Sequence, residues 1–308
     1  MSETRLKRLL AKGEFVVTAE IGAPHGADYN LISERTEIVR DYCDAINVPD
    51  NARSIPTMSS STCAFYVLQT GAEPIMHLTL RDRNRLSIQS ELYGAYALGI
   101  RNILIVTGDH PRYGSHPEAK VVYDLNTIEI ISLIARLREG IDFAGAELEG
   151  APDFFIGAAF NPNDAALEDH VLHTGKKKNA GAQFFQTQAV FEPEKLKDFM
   201  GLVSGLKLKV LAGIIPLRDA EMAEFMNTHI PEISIPDNII KRMEDAGKGL
   251  DEESRITAMK EEGIEIALET LEAIKKIKGV NGVHLMGVGW TESIVEISKR
   301  AKLFPRPK

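Results

Sequence analysis

The chain has 308 residues, 44% of them hydrophobic and 26% charged, with 36 Lys and Arg against 44 Asp and Glu for a formal net charge of −8. That length supports one large core, since α/β barrels of about 250 residues fold as single domains. The acidic balance excludes a general nucleic-acid binder, which would carry a basic face. No apolar run approaches the ~20 residues needed to cross a bilayer, so no membrane partner is expected either.

Met1 to Lys12 is polar and basic and lacks the apolar stretch of a secretory leader, which predicts a cytoplasmic protein. Cys43 and Cys63 fall outside any CxxC spacing and read as two free thiols in a reducing compartment. After a basic amphipathic lead carrying Leu6, Leu9 and Leu10, Phe15 to Ile21 reads as a buried strand with one polar member near its end, Glu20. A carboxylate there needs a partner or a task. Gly22 to Gly26 is a loop, and Asp28 can cap a helix reaching Asp41. Ala45 to Val48 is the second strand, followed by a polar loop from Pro49 to Pro56 and helical periodicity from Ser60 to Leu68.

Pro74 to Leu80 is the third strand, leaving through Arg81 and Asp82, and Asn84 to Leu98 is a helix ended by Gly99. The fourth strand, Ile103 to Val106, feeds directly into Thr107, Gly108, Asp109, His110 and Pro111. The loop from Asp109 to Tyr123 is long for a compact domain, and such loops usually carry function. A helix from Leu125 to Arg138 follows, then a fifth strand, Phe154 to Phe160, a helix from Asn161 to Gly175 and a sixth strand, Phe184 to Gln188. Pro193 starts a helix to about Leu206, and Lys209 to Ile215 is the seventh strand. Ala220 to Ile277 is helical apart from breaks at Pro231, Pro236 and Gly247 to Gly249. Gly282 to Val288 is the eighth strand and Glu292 to Lys302 the closing helix.

Eight alternations, each crossover right-handed, close most naturally into a (β/α)8 barrel, a single domain over residues 1–308. An open doubly wound sheet is the alternative, disfavoured by the lack of GxGxxG after the first strand. In a barrel the carboxyl ends of the strands face one pocket, which collects Glu20, Asn47, His77, Thr107, Asp109, Phe160, Gln188 and His284. Glu20 is either a structural ion-pair partner or a general acid whose pKa apolar surroundings raise to about 6–7. Asp109 is a loop cap or a site residue, and Gln188 a hydrogen-bonding strut or a ligand contact. His170 and His173 have no third ligand nearby, so no metal is expected. Lys176 to Lys178 is a solvated run or a source of one phosphate contact.

Several local patterns then combine: Val17-Thr-Ala-Glu-Ile21, His77-Leu-Thr79, Val106-Thr-Gly-Asp109, Gly157-Ala-Ala-Phe160, Lys177-Lys-Asn-Ala-Gly-Ala182, Gln186-Thr-Gln188 with Phe191, and Gly213-Ile-Ile-Pro216. In this order and spacing, from about Glu14 to Leu303, the chain resembles the catalytic barrel of bacterial 5,10-methylenetetrahydrofolate reductases. The resemblance implies an oxidoreductase of one-carbon metabolism and methionine biosynthesis. In such an enzyme a flavin, FAD with FMN as the alternative, passes a hydride from NADH or another reductant to methylenetetrahydrofolate. Glu20 matches the family's acid that protonates the folate N10. Asp109 matches the aspartate beside the flavin pyrimidine edge, Gln188 the glutamine that binds the pterin, and Phe191 the adjoining substrate wall. His77, Thr107, Gly108, Ala158, Phe160 and Lys177 fall at flavin-contacting positions, Lys177 toward the diphosphate. The chain departs from the family with Thr107 in place of an arginine, Phe160 in place of a tyrosine, and His170 where an acidic contact is expected. Its short form resembles the anaerobe type, which pairs with a zinc- and iron–sulfur-containing subunit, and so implies a homo- or hetero-oligomer. A flavin-bearing electron-relay or docking subunit without turnover of its own is the alternative, and a methanopterin carrier the alternative to tetrahydrofolate.

Overall fold

Each apolar run of four to seven residues in this chain is bounded by a polar residue or a turn, and each is followed by an amphipathic stretch, so strands and helices must pack as layers. The computed structural model describes residues 3–163, 167–230 and 232–307. Eight strands pair in parallel in sequence order: β1 (Val16–Glu20), β2 (Ala45–Val48), β3 (Pro74–Thr79), β4 (Asn102–Val106), β5 (Phe155–Phe160), β6 (Phe184–Ala189), β7 (Val210–Ile214) and β8 (Val280–Met286). β8 closes on β1, with His284 beside Thr18 and Met286 beside Glu20. The barrel expected from the alternation is therefore the fold observed.

Around it lie α1 (Arg5–Lys12), α2 (Asn30–Val39), α3 (Ser60–Gln69), α4 (Arg85–Ala97), α5 (Thr127–Leu137), α6 (Leu167–Ala180), α7 (Pro193–Leu202), α8 (Ala220–His229), α9 (Asp237–Ala246), α10 (Glu252–Ile274) and α11 (Glu292–Arg300). Their starts follow local chemistry. Asn84 caps α4, Asn126 and Glu129 form a reciprocal capping box on α5, and Asp251 caps α10. One boundary differs from expectation. α6 does not stop at Gly175 but runs through Lys176–Lys178 to Ala180, because long straight side chains favour helix and the left-handed Gly181 (φ 122°) supplies the stop. Lys177 thus lies on a helix rather than in a loop before β6. The start expected at Asn161 is not observed, since 161–163 are non-helical and the helix is described from Leu167; residues 164–166 and the expected break at Pro231 lie outside the described residues.

Alternation along the strands sorts the side chains. Val17, Ala19, Ile46, Val48, Met76, Leu78, Ile103 and Ile105 face outward into the core shared with the helices. Val16, Ala45, Ile75, Leu104, Phe155, Phe184 and Leu211 face inward and form the apolar floor of the barrel, closed from below by Leu6, Leu9 and Leu10 of α1. Gly157 is required in this layer, since a Cβ there would meet the Phe184 ring at 2.3 Å. The same end is clamped by the buried Asp44 carboxylate, which accepts hydrogen bonds from Arg5, Arg306 and the Val17 amide. Among the described residues no helix is long and apolar enough to cross a membrane.

Because α1 supplies the floor's lower face, Leu9→Ala is predicted to destabilise the fold by about 2–5 kcal/mol in urea unfolding. A loss below about 1 kcal/mol would show that α1 is not part of the core.

Candidate active site

One step up each strand from the apolar floor, the inward residues change character. Thr18, Asn47, His77, Gln186 and His284 are all buried, and polar groups at that depth must find partners among themselves. His77 Nε2 lies 2.9 Å from Asn47 Oδ1, and Asn47 Nδ2 lies 3.3 Å from His284 Nδ1. The Thr18 hydroxyl is 3.0 Å from the same His284 Nδ1, and Gln186 Nε2 donates to Thr18 Oγ1 at 3.3 Å. A polar layer therefore spans the barrel from β3 through β2, β8 and β1 to β6.

Glu20 sits directly above it at the end of β1. Its Oε2 faces His284 Nε2 at 3.6 Å, with the Glu20 side chain 24% exposed and that of His284 4% exposed. At that distance the two attract without a closed hydrogen bond. Burial pushes the Glu20 carboxyl up, but the contact with His284 and, where those rings are protonated, the charges of His284 and His77 outweigh it and hold the group below its usual value. The expectation of a raised pKa is thus reversed: the pocket around Glu20 is lined by imidazoles rather than being apolar. His77 is pushed down to about 4, first by burial and then by the neighbouring His284, against the opposing pull of Glu20 and Asp50.

A second cluster ties the rim loops together. Arg81, just past β3, keeps only 2% of its surface exposed. It pairs with Asp82 and donates to Ser54 Oγ at 2.8 Å and to the Asp109 carbonyl at 3.0 Å. The Asp109 carboxylate accepts the Arg53 amide hydrogen at 2.7 Å, which makes it a cap for a loop whose Asn51, Arg53 and Ser54 all adopt left-handed backbone. The buried Asp50 carboxylate holds the Thr79 amide and hydroxyl and pairs with Arg83 at 2.6 Å. Thr107 is exposed beside Gly108, whose φ of 86° only glycine adopts without strain.

The remaining residues singled out from sequence are distributed as follows. Lys177 reaches from α6 to the carbonyl of Ala159 at 2.7 Å, and burial lowers its pKa against the opposing charge of Glu232. Gln188 Nε2 donates to Glu232 at 3.1 Å, while Gln188 Oε1 accepts from the Ala189 amide. Phe191 is buried in a separate cluster with Ile215 and Met226. Ala158 and Phe160 belong to the outward core, Phe160 stacked on Phe199 at 4.5 Å, so only their backbone is available to a ligand in the mouth. Cys43 and Cys63 are buried free thiols, each raised to about 12 and so inert at neutral pH. Among the described residues no group of three or more His, Cys, Asp or Glu is placed to hold a metal.

Arg81, Asp50 and Glu232 carry no role in the sequence reading. An arginine straight after an apolar strand is a signal for the first, but the loops it joins are distant in sequence. A cavity of about 800 Å³ is lined by Arg53, Arg218, Arg255 and Lys260, by Asp219 and Glu221, which pair with Arg218 and Arg255, and by apolar side chains including Met222, Phe225, Ile256 and Val288.

A family model described as methylenetetrahydrofolate reductase matches residues 5–302. A Schizosaccharomyces pombe protein, "Methylenetetrahydrofolate reductase 2", is 27% identical over 251 residues, covering 75% of this chain and 36% of its own. A Caenorhabditis elegans protein, "Probable methylenetetrahydrofolate reductase (NADPH)", is 24% identical, with 80% and 35% covered. A Pectobacterium carotovorum protein, "5,10-methylenetetrahydrofolate reductase", is 25% identical, with 70% and 65% covered. The chain therefore spans about a third of the length of these eukaryotic relatives, from 35% to 36%.

The state of His77 gives a signed pH prediction. Its folded pKa of about 4 lies below the ordinary 6.5, so between those values the unfolded chain binds more protons and stability falls as the pH drops. Denaturant unfolding across that window should show a steeper loss for the wild type than for His77→Gln; equal slopes would contradict a buried, neutral His77.

Proposed function

Since the chain belongs to the methylenetetrahydrofolate reductase family, we propose that it catalyses the flavin-dependent reduction of 5,10-methylenetetrahydrofolate to 5-methyltetrahydrofolate. The observation that carries this reading is the position of Glu20: a carboxyl on the inner wall of the barrel mouth, open to ligand and backed by a histidine. Opening the imidazolidine ring requires protonation of N10 as a leaving group, and a positioned carboxylic acid supplies that proton.

The donor set of the mouth fits a flavin. Thr107 offers an exposed hydroxyl, while the Gly108 carbonyl accepts from Tyr123 and the buried His77 commits Nε2 to Asn47. Lys177 has an ammonium of which one N–H is committed to Ala159, leaving two for a diphosphate. Thr107 in place of the family's arginine removes a cation from that set, which keeps FMN beside FAD as the cofactor. When bound, the flavin supplies the hydride that reduces the substrate's methylene carbon.

The chain's own residues do the rest. Glu20 delivers the proton to N10 from its protonated form, which is the minor species at neutral pH because His284 holds the carboxyl below its usual value. Gln188 presents an amide to the pterin edge, exchanging its bond to Glu232 for bonds to substrate. The Asp109 carboxylate, fixed by the Arg53 amide, is a negative charge at the rim that would tune a flavin bound there and favour a cationic iminium. Phe191 stays in its apolar cluster and supports the loop that follows Gln188. The neighbouring cavity, with apolar side chains and the cations of Arg53 and Lys260 beside the Arg218–Asp219 and Arg255–Glu221 pairs, suits the aryl and carboxylate tail of a folate. NADH or another reductant, including a zinc- and iron–sulfur-containing partner subunit, is the proposed electron source.

Glu20→Gln is predicted to keep flavin reduction by the donor but to lose folate reduction by about 100- to 10,000-fold, the usual weight of a general acid. Stopped-flow absorbance separates the two half-reactions. Equal loss of both would remove Glu20 from the acid role.

A further inference from the structure

Asn47 has no stated part in the chemistry, yet its geometry decides where a proton lies. Its amide nitrogen is 3.5 Å from the Ala19 carbonyl, which can only accept, and 3.3 Å from His284 Nδ1. Its amide oxygen is 2.9 Å from His77 Nε2, which must therefore carry hydrogen and donate. With the amide so oriented, an N–H points at His284 Nδ1 and makes that nitrogen an acceptor. The Thr18 hydroxyl lies 3.0 Å from the same nitrogen and 3.5 Å from the Val283 carbonyl, and its oxygen receives the Gln186 amide, so it is the Asn47 N–H that settles the role of Nδ1. The ring hydrogen of neutral His284 is then forced onto Nε2, the atom that faces Glu20.

We propose that His284 is the positioning residue of the proton donor: its Nε2–H, locked by Asn47, holds Glu20 Oε2 and leaves Oε1 to carry the proton into the mouth. This rests on the reading of Glu20 as the acid. The lock fixes which oxygen faces the substrate. The 3.6 Å separation closes to a hydrogen bond as ligand fills the mouth and excludes water, as catalytic contacts commonly do. The proton that Glu20 gives to N10 comes from solvent before the site fills, and Glu20 is left as the carboxylate that Nε2–H stabilises. No other co-reactant is needed.

The titratable groups facing this pair are His77 from β3 and, behind His77, Asp50 from the loop after β2; the neighbouring face of β2 offers only the amide of Asn47. His77 is neutral above its depressed pKa of about 4 and holds Asn47 rather than charging the site. His284 therefore dominates the polar environment of Glu20 at neutral pH.

The test is the pH dependence of the folate half-reaction in the flavin-loaded full chain, with the flavin half-reaction as the control for fold and cofactor binding. The rate should fall as pH rises through the pKa of Glu20. His284→Leu removes the N–H, so the falling limb should move up by about one pH unit or more while the plateau drops. His284→Gln keeps an N–H toward Glu20 and an acceptor toward Asn47, and should restore the wild-type limb. Asn47→Asp reverses the lock by accepting from Nδ1–H, and should cut folate reduction at least about tenfold, as a wrong tautomer does in other sites. An unmoved limb in His284→Leu, or a His284→Gln that behaves like it, would overturn the positioning role. If Glu20→Gln fails to depress folate reduction selectively, the underlying reading falls instead, so the two failures are distinguishable.

Discussion

Eight parallel strands closed into a barrel turn every second side chain inward, and an inward polar group at that depth has no water to satisfy it. The rest of the site follows from this constraint. Thr18, Asn47, His77, Gln186 and His284 occupy the interior above the apolar floor, and each has to use its neighbours as hydrogen-bond partners. Their mutual bonds fix ring orientations and tautomers that water would otherwise leave free. A buried amide at Asn47 is thus what connects a neutral His77 on one wall to the carboxyl of Glu20 on the other.

The rim obeys the same rule by different means. The loops after β2, β3 and β4 are held by the buried Arg81, whose guanidinium serves Asp82, Ser54 and the Asp109 carbonyl at once. Removing one partner of such a group would leave a buried charge uncompensated, which costs far more than the pair contributes. Three left-handed residues, Asn51, Arg53 and Ser54, store strain in the loop that this clamp and Asp109 hold in place. Gly114 completes the packing, because a Cβ there would meet the Ser54 carbonyl oxygen at 2.2 Å. Asp109 is accordingly a structural cap and a charged rim group together, and neither role excludes the other.

The architecture was legible because the apolar runs are short, regularly spaced and separated by amphipathic stretches, so that strand order and closure followed from local pattern alone. The inward and outward faces were not read correctly throughout, since Phe160 was grouped with Glu20, His77 and Gln188 in the pocket, whereas alternation along β5 turns Ala158 and Phe160 outward. What sequence did not disclose arises from pairs distant along the chain. The low proton affinity of Glu20 depends on His284, near the other terminus, and the clamp at Arg81 depends on Ser54 and Asp109 in separate loops. The end of α6 was misplaced for a local reason: Gly175 reads as a stop, but the helix tolerates it and ends instead at the left-handed Gly181. Glu232, which holds Gln188, lies in a loop with no pattern of its own.

In the proposed account the barrel wall supplies a proton and the rim holds a flavin. Its central claim is that reduced flavin on this chain gives its electrons to a methylene group on a folate. The most direct measurement is an anaerobic titration of the reduced, flavin-loaded protein with 5,10-methylenetetrahydrofolate, followed by flavin absorbance and product analysis. The account predicts that one equivalent restores the oxidised flavin spectrum and yields one equivalent of 5-methyltetrahydrofolate. A flavin that stays reduced with excess substrate, in protein shown to bind it, would contradict the account.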